Sequence, residues 1–97
     1  MLVIWAPEAI VDLKDIWSYI AEDNPNAATE LAGAIRAKTE HLSRFPKLGR
    51  PSRRKGMRQL PVVGTPYFIA YRLTKGGVEI ARVIHGAREW PPKRKRS

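Results

Sequence analysis

Two arginines and a histidine stand within seven positions, Arg82 to Arg88, in the stretch RVIHGAREW at residues 82–90. Arg58 opens a second strand-like stretch upstream. These residue types are the parts of ribonuclease chemistry through a 2′-hydroxyl. That reaction needs a base, an acid for the leaving oxygen, and positive charge around a phosphorane-like transition state. Histidine is the side chain whose ordinary pKa suits proton transfer near neutrality. No catalytic residue is assigned firmly; if the chain is a nuclease, Arg58, Arg82 and His85 are the candidates. Each also has a plainer reading. His85 can be a strand-end histidine bonded to a backbone carbonyl or a neighbouring side chain. Arg82 can pair with Glu79, Glu89 or a helix acid. Arg88 and Glu89 can satisfy each other at the surface. The second histidine, His41, reads as a solvated or helix-end residue.

Other chemistries find no support. The chain has no cysteine, so it has neither a disulfide framework nor a thiolate metal site. Its two histidines are too far apart to suggest a metal set by spacing. The glycine pair after Lys75 reads as a hairpin turn, not a phosphate cradle. No cofactor is expected.

Charge is the strongest compositional signal. The net charge is +9, and it is segregated. Residues 1–40 hold three Lys/Arg against seven Asp/Glu, whereas residues 41–97 hold fifteen against two. Such a basic half attracts a polyanion or an acidic protein. The loop cations Arg50, Arg53, Arg54, Lys55 and Arg58, together with Arg82, Arg88 and Trp90, are the candidate partner-binding residues. Trp90 can instead pack back as an anchor for the tail. Lys93, Arg94, Lys95 and Arg96 can bind phosphate without specificity or remain solvated.

Ninety-seven residues make one domain, over residues 1–91, followed by a flexible basic tail at 92–97. No stretch approaches the roughly 20 apolar residues of a membrane span. The start MLVIWAPEAIVDLKD lacks a basic leader region, and its apolar run is shorter than that of a secretory signal. A cytoplasmic protein is expected.

The elements that position the candidates follow from periodicity. MLVIW is wholly apolar and reads as a strand buried on both faces, inside a sheet. From Pro7 to about Glu22, Ile10, Leu13, Trp17 and Ile20 recur at helical spacing with Ile16 beside them, while Glu8, Asp12 and Asp15 face away. Asn24 and Pro25 then begin a second helix, with Ala28, Leu31, Ile35 and Leu42 on one face. The basic stretch FPKLGRPSRRKGMR, residues 45–58, reads as an exposed loop without regular structure. MRQLPVV is a strand weakened by Pro61, short or at an edge. YFIAYRLT and VEIARVIH form a hairpin through KGG. Trp5, Trp17, Tyr19, Tyr67, Phe68 and Tyr71 read as mostly core. The expected fold is α+β, in the order β-α-α-β-β-β, with a helical hairpin on a mainly antiparallel four-stranded sheet. The last strand holds one anomaly. Val78, Ile80, Arg82 and Ile84 share a phase, so Arg82 falls in line with apolar residues. Either a bulge re-aims it or it rises from an open sheet face.

In this order and at this length, the pieces W(APEAIV)DLKDIWSYIAEDNPNAA, FPKLGRPS, MRQLPVVGTPYFIAYRL and VEIARVIHGAREWP resemble the RelE/ParE superfamily of toxins from bacterial type II toxin–antitoxin systems. The ParE-like branch is the most similar. The resemblance spans about residues 3–91. It implies a β-α-α-β-β-β toxin neutralised by a cognate antitoxin in a hetero-oligomer. In ParE-like members it implies inhibition of DNA gyrase without enzymatic activity. In RelE-like members it implies ribosome-dependent cleavage of messenger RNA. Fold does not separate these two. HGAREWP follows the gyrase-directed pattern, with small Gly86 and Ala87 where the nucleases often carry polar or aromatic groups. A gyrase inhibitor is therefore the expectation, with the endoribonuclease as the alternative. A basic toxin also suits a disordered acidic antitoxin segment that folds across it, adding a helix beside the helical hairpin and covering a strand edge.

Overall fold

A computed structural model describes residues 1–88 and Trp90; Glu89, Pro91 and the tail cations Lys93, Arg94, Lys95 and Arg96 lie outside the described residues. The chain forms β1 (Leu2–Trp5), α1 (Pro7–Ala21), α2 (Pro25–His41), β2 (Arg50–Pro51), β3 (Arg58–Pro61), β4 (Tyr67–Thr74) and β5 (Gly77–His85). Both helices start on proline, whose fixed φ suits the first turn and whose missing N–H costs nothing there. The Asn24 side chain accepts a hydrogen bond from the Ala27 N–H at 3.1 Å and so caps α2. The two helices pack on each other and on one face of the sheet.

The sheet has five strands in the order β1-β5-β4-β3-β2, with β1 parallel to β5 and the other pairs antiparallel. The four-stranded expectation missed β2. This two-residue strand lies in the basic stretch read as irregular and pairs Arg50 with Gln59 and Pro51 with Arg58. Two residues carry no periodicity, so their pairing is set by the loop's path and not by local pattern.

The expectation for β1 is corrected as well. It lies at an edge of the sheet, not in its interior. Leu2 and Ile4 are exposed, while Val3 and Trp5 pack against the core. A short apolar run looks the same at an edge and in a centre, because neighbours are a tertiary property. Gly77 stands opposite Leu2 with φ +156°, and a Cβ there would collide with the Leu2 carbonyl. Glycine is what lets β1 come close to β5.

The core between helices and sheet is built from Ala9, Ile35, Leu42, Leu60, Ile69, Tyr71, Val78 and Ile80. Helix α1 turns Ala9, Leu13, Ile16 and Ile20 inward. Ile10 and Trp17, assigned to that face from the sequence, are 44% and 42% exposed, and Tyr19 is more exposed still. The apolar arc of α1 is wider than the surface that covers it, so its margin stays in solvent. No described helix covers the opposite sheet face. There a thinner layer of Met57, Ala70 and Ile84 is covered by Phe68, Ala81 and Trp90.

Candidate functional site

The anomaly at Arg82 is resolved by a β-bulge. Ile69 pairs with Val83 and Ala70 with Arg82, but Tyr71 pairs with Ile80, so Ala81 is the extra residue. The phase of β5 flips there. Val78, Ile80 and Val83 all reach the helix-side core, and Ile84 joins the opposite face. The bulge takes Arg82 out of the apolar line and aims it at α1. Its Nε and NH2 groups donate to the two carboxylate oxygens of Asp12 at 2.7 and 3.0 Å. The Asp12 Oδ2 atom also accepts the Val83 N–H at 2.9 Å.

This arrangement follows from topology. β1 runs beside β5 only as far as the Trp5–Ile80 pair, and the Ala6 N–H closes onto the Ile80 carbonyl. Beyond that point no described strand flanks β5 on this side, and its Val83 N–H needs an acceptor. Helix α1 supplies Asp12. The expectation that Asp12 faces away is therefore wrong: its side chain is 14% exposed. The hydrogen bonds that Arg82 donates to Asp12 hold its guanidinium above its ordinary pKa. Of the three plainer partners named for Arg82, the helix acid is the one seen among the described residues. The signal existed in the sequence, since Asp12 stands three residues after Ala9 and four before Ile16, on the inward line of α1.

His85 lies at the exposed end of β5. Its Nδ1 accepts the Ala87 N–H at 3.0 Å, and its ring meets the edge of Tyr67 at 5.2 Å and 82°. With Nδ1 accepting, the neutral ring carries its hydrogen on Nε2. Arg58 is also engaged elsewhere. It donates to the Gly49 carbonyl, while the buried Tyr71 hydroxyl accepts the Gly49 N–H and donates to the Pro46 carbonyl, both at 2.8 Å. Burial pushes the Tyr71 hydroxyl above its usual pKa. Gly49 has to be glycine, because a Cβ would run into the Tyr71 ring. This knot ties down the base of the basic loop. Thus the three catalytic candidates are apart: Arg82 is bound to Asp12, Arg58 to Gly49, and His85 closes a turn. His41 is exposed in the last turn of α2.

The partner-binding candidates are gathered more closely. Trp90 lies on Met57, Ala70 and Ile84, with the Arg54 guanidinium 5.9 Å from its ring centre. A cleft of about 370 Å³ on one side of Trp90 includes Arg50, Gln59, Phe68 and Arg88. A second, of about 480 Å³, includes Arg54, Arg72, Glu79 and Arg82. Arg72, not singled out from the sequence, pairs with Glu79 across the β4–β5 ladder at 2.6 Å. Arg53 and Lys55 are exposed on the loop. Among the described residues, no three His, Asp or Glu side chains group as a metal set. No described helix is long and apolar enough to cross a membrane.

Three comparisons bear on this arrangement. A family model described as ParE toxin of type II toxin-antitoxin system, parDE, matches residues 3–90. A curated relative from Sinorhizobium fredii, named "Putative toxin Y4kP", is 37% identical over 87 residues, which is 90% of each chain. A solved structure titled "Chromosomal ParDE TA system from P. aeruginosa" superposes with a TM-score of 0.79 at 25% identity, covering 88% of this chain and 95% of that one.

Proposed function

The chain belongs to the ParE toxin family of type II toxin–antitoxin systems, and from that premise we propose that it stops growth by inhibiting DNA gyrase through binding and not through catalysis. The observation that carries this reading is the dispersal of Arg58, Arg82 and His85. A ribonuclease needs its proton carrier and its phosphate-binding cations around one reacting atom. Here each candidate already has a structural partner. What is left for a target is a cationic binding surface. The test is a supercoiling assay with purified gyrase. Inhibition is expected; full supercoiling at a large excess of folded toxin overturns the reading.

Membership of such a system implies an antitoxin partner, and we place its docking segment on the helix side. Ile10, Val11 and Trp17 on α1 and Leu2 and Ile4 on β1 are exposed apolar side chains on neighbouring elements. The far edge of β1 has no partner strand among the described residues. An antitoxin segment that folds on binding must bury apolar area to offset its ordering entropy, and a helix on α1 with a strand on β1 supplies it. The complex is then a hetero-oligomer, formed in the cytoplasm where gyrase works.

A further inference from the structure

The sheet face opposite the helices carries a positive charge that the described carboxylates neutralise only in part: Asp12 and Glu79 pair with two of its arginines, and Glu8 and Glu79 line one of its clefts. Five arginines line the two clefts beside Trp90: Arg50 and Arg88 on one side, and Arg54, Arg72 and Arg82 on the other. Arg72 and Arg82 hold Glu79 and Asp12, but no carboxylate holds Arg50, Arg54 or Arg88 among the described residues. The Trp90 Nε1–H is covered and has no hydrogen-bond partner among the described residues. A covered donor without an acceptor is costly to keep.

We propose that this face binds duplex DNA directly, by its phosphate backbone, with phosphates in the two clefts and Trp90 between them. Arginine is suited to the role because its planar fork donates two parallel hydrogen bonds to a phosphate and is weakly hydrated. Backbone N–H groups and arginines that touch only phosphates fix position without reading sequence, and nothing on the face requires a particular base. An acidic peptide carries the same sign of charge, but it fits less well. A peptide that orders on binding needs exposed apolar surface, and here most of the large exposed apolar side chains lie on α1 and β1, with Phe45, Leu48, Val63 and Leu73 elsewhere. On the open face Met57, Ala70 and Ile84 are buried, and Phe68 and Trp90 are half-buried. The open face therefore offers charge with little apolar area, which is the profile of phosphate recognition.

The inference does not rest on the gyrase reading, and its test contains no gyrase. A fluorescein-labelled duplex of arbitrary sequence is titrated with purified toxin, shown to be folded by circular dichroism, at salt concentrations from about 50 to 200 mM. Binding in the micromolar range at the lowest salt is expected, with log K falling linearly against log salt by about 0.9 per phosphate contact. The double variant Arg50→Ala/Arg88→Ala should flatten that slope by between 1 and 2 and weaken low-salt binding roughly tenfold or more. Neither side chain makes a hydrogen bond within the described protein, so the variant keeps its fold. The control is Lys14→Ala/Arg36→Ala, which removes two exposed cations from the helices and should leave the slope unchanged. No binding at about 50 mM salt overturns the inference, as does an equal loss in both double variants. Tighter binding of a glutamate-rich peptide of matched charge overturns it in favour of an acidic protein.

Discussion

Asp12 and Arg82 stand 70 residues apart in the chain and meet in a two-pronged ion pair, whose carboxylate also caps the Val83 N–H on the uncovered edge of β5. One aspartate thus settles two problems of topology: where β1 stops short, and where the bulge throws an arginine.

Replacing Asp12 should be costly for that reason. Asp12→Ala leaves the Val83 N–H and the Arg82 guanidinium without their acceptor, and a loss of about 1–3 kcal/mol is expected. For a domain of this size that lowers Tm by roughly 5–15 °C. Asp12→Asn keeps an acceptor for Val83 and should lose less. Thermal melts of the two variants check this; equal, unshifted midpoints would show that the contact is idle.

Tyr71 should report both stability and pH. Tyr71→Phe removes the hydroxyl that holds Gly49 and Pro46, costing about 1–3 kcal/mol at neutral pH. The folded-state pKa of this phenol is raised above the ordinary 10.0, chiefly by burial. Its contribution is therefore complete below about pH 10 and is lost as pH rises through the folded value, because the unfolded phenol ionises first. Denaturant midpoints from pH 8 to 11 should fall more steeply for the natural chain than for Tyr71→Phe. Parallel curves would refute the assignment.

His85 should be dispensable for toxicity. His85→Ala loses an exposed turn contact to Ala87 and an edge contact with the Tyr67 ring, so growth inhibition on expression is expected to persist, and messenger RNA is expected to stay intact. The double variant Arg82→Ala/His85→Ala separates the cases further. If early RNA cleavage occurs in cells and this variant abolishes it, the nuclease alternative replaces the inhibitor.

The exposed margin of α1 should matter for the antitoxin and not for folding. Ile10→Ser and Trp17→Ser remove side chains that are largely in solvent, so Tm should move little. If the antitoxin segment docks there, Trp17→Ser should weaken the complex by about tenfold or more, as buried aromatic anchors do. Titration calorimetry with the antitoxin measures it; unchanged affinity in both variants would place the antitoxin elsewhere.

Gly77→Ala should disturb the β1–β5 pairing locally. The added methyl meets the Leu2 carbonyl, so faster hydrogen exchange is expected in β1 and at the start of β5, with α2 still protected.

Much of this architecture is local physics and was legible in the residues themselves. Pro7, Asn24 and Pro25 mark where helices begin, because capping and fixed φ act within a few residues. The alternation of YFIAYRLT and the KGG turn specify the β4–β5 hairpin for the same reason. The excess of cations after residue 41 is a matter of counting. Other features depend on which distant elements become neighbours. β1 is an edge strand because nothing packs beyond it, which its four apolar residues do not encode. Asp12 faces inward because the uncovered Val83 N–H lies there, and a helical acid otherwise favours water. Arg82, His85 and Arg58 look like one constellation in the chain, yet a bulge, a turn and a loop anchor send them to three places. Sequence alone determined the two helices, the four longer strands, the charge and the family resemblance. Only the tertiary structure decided which cations are already spent on the protein's own carboxylates and carbonyls, because partners far apart in the chain meet only when the sheet and helices have packed.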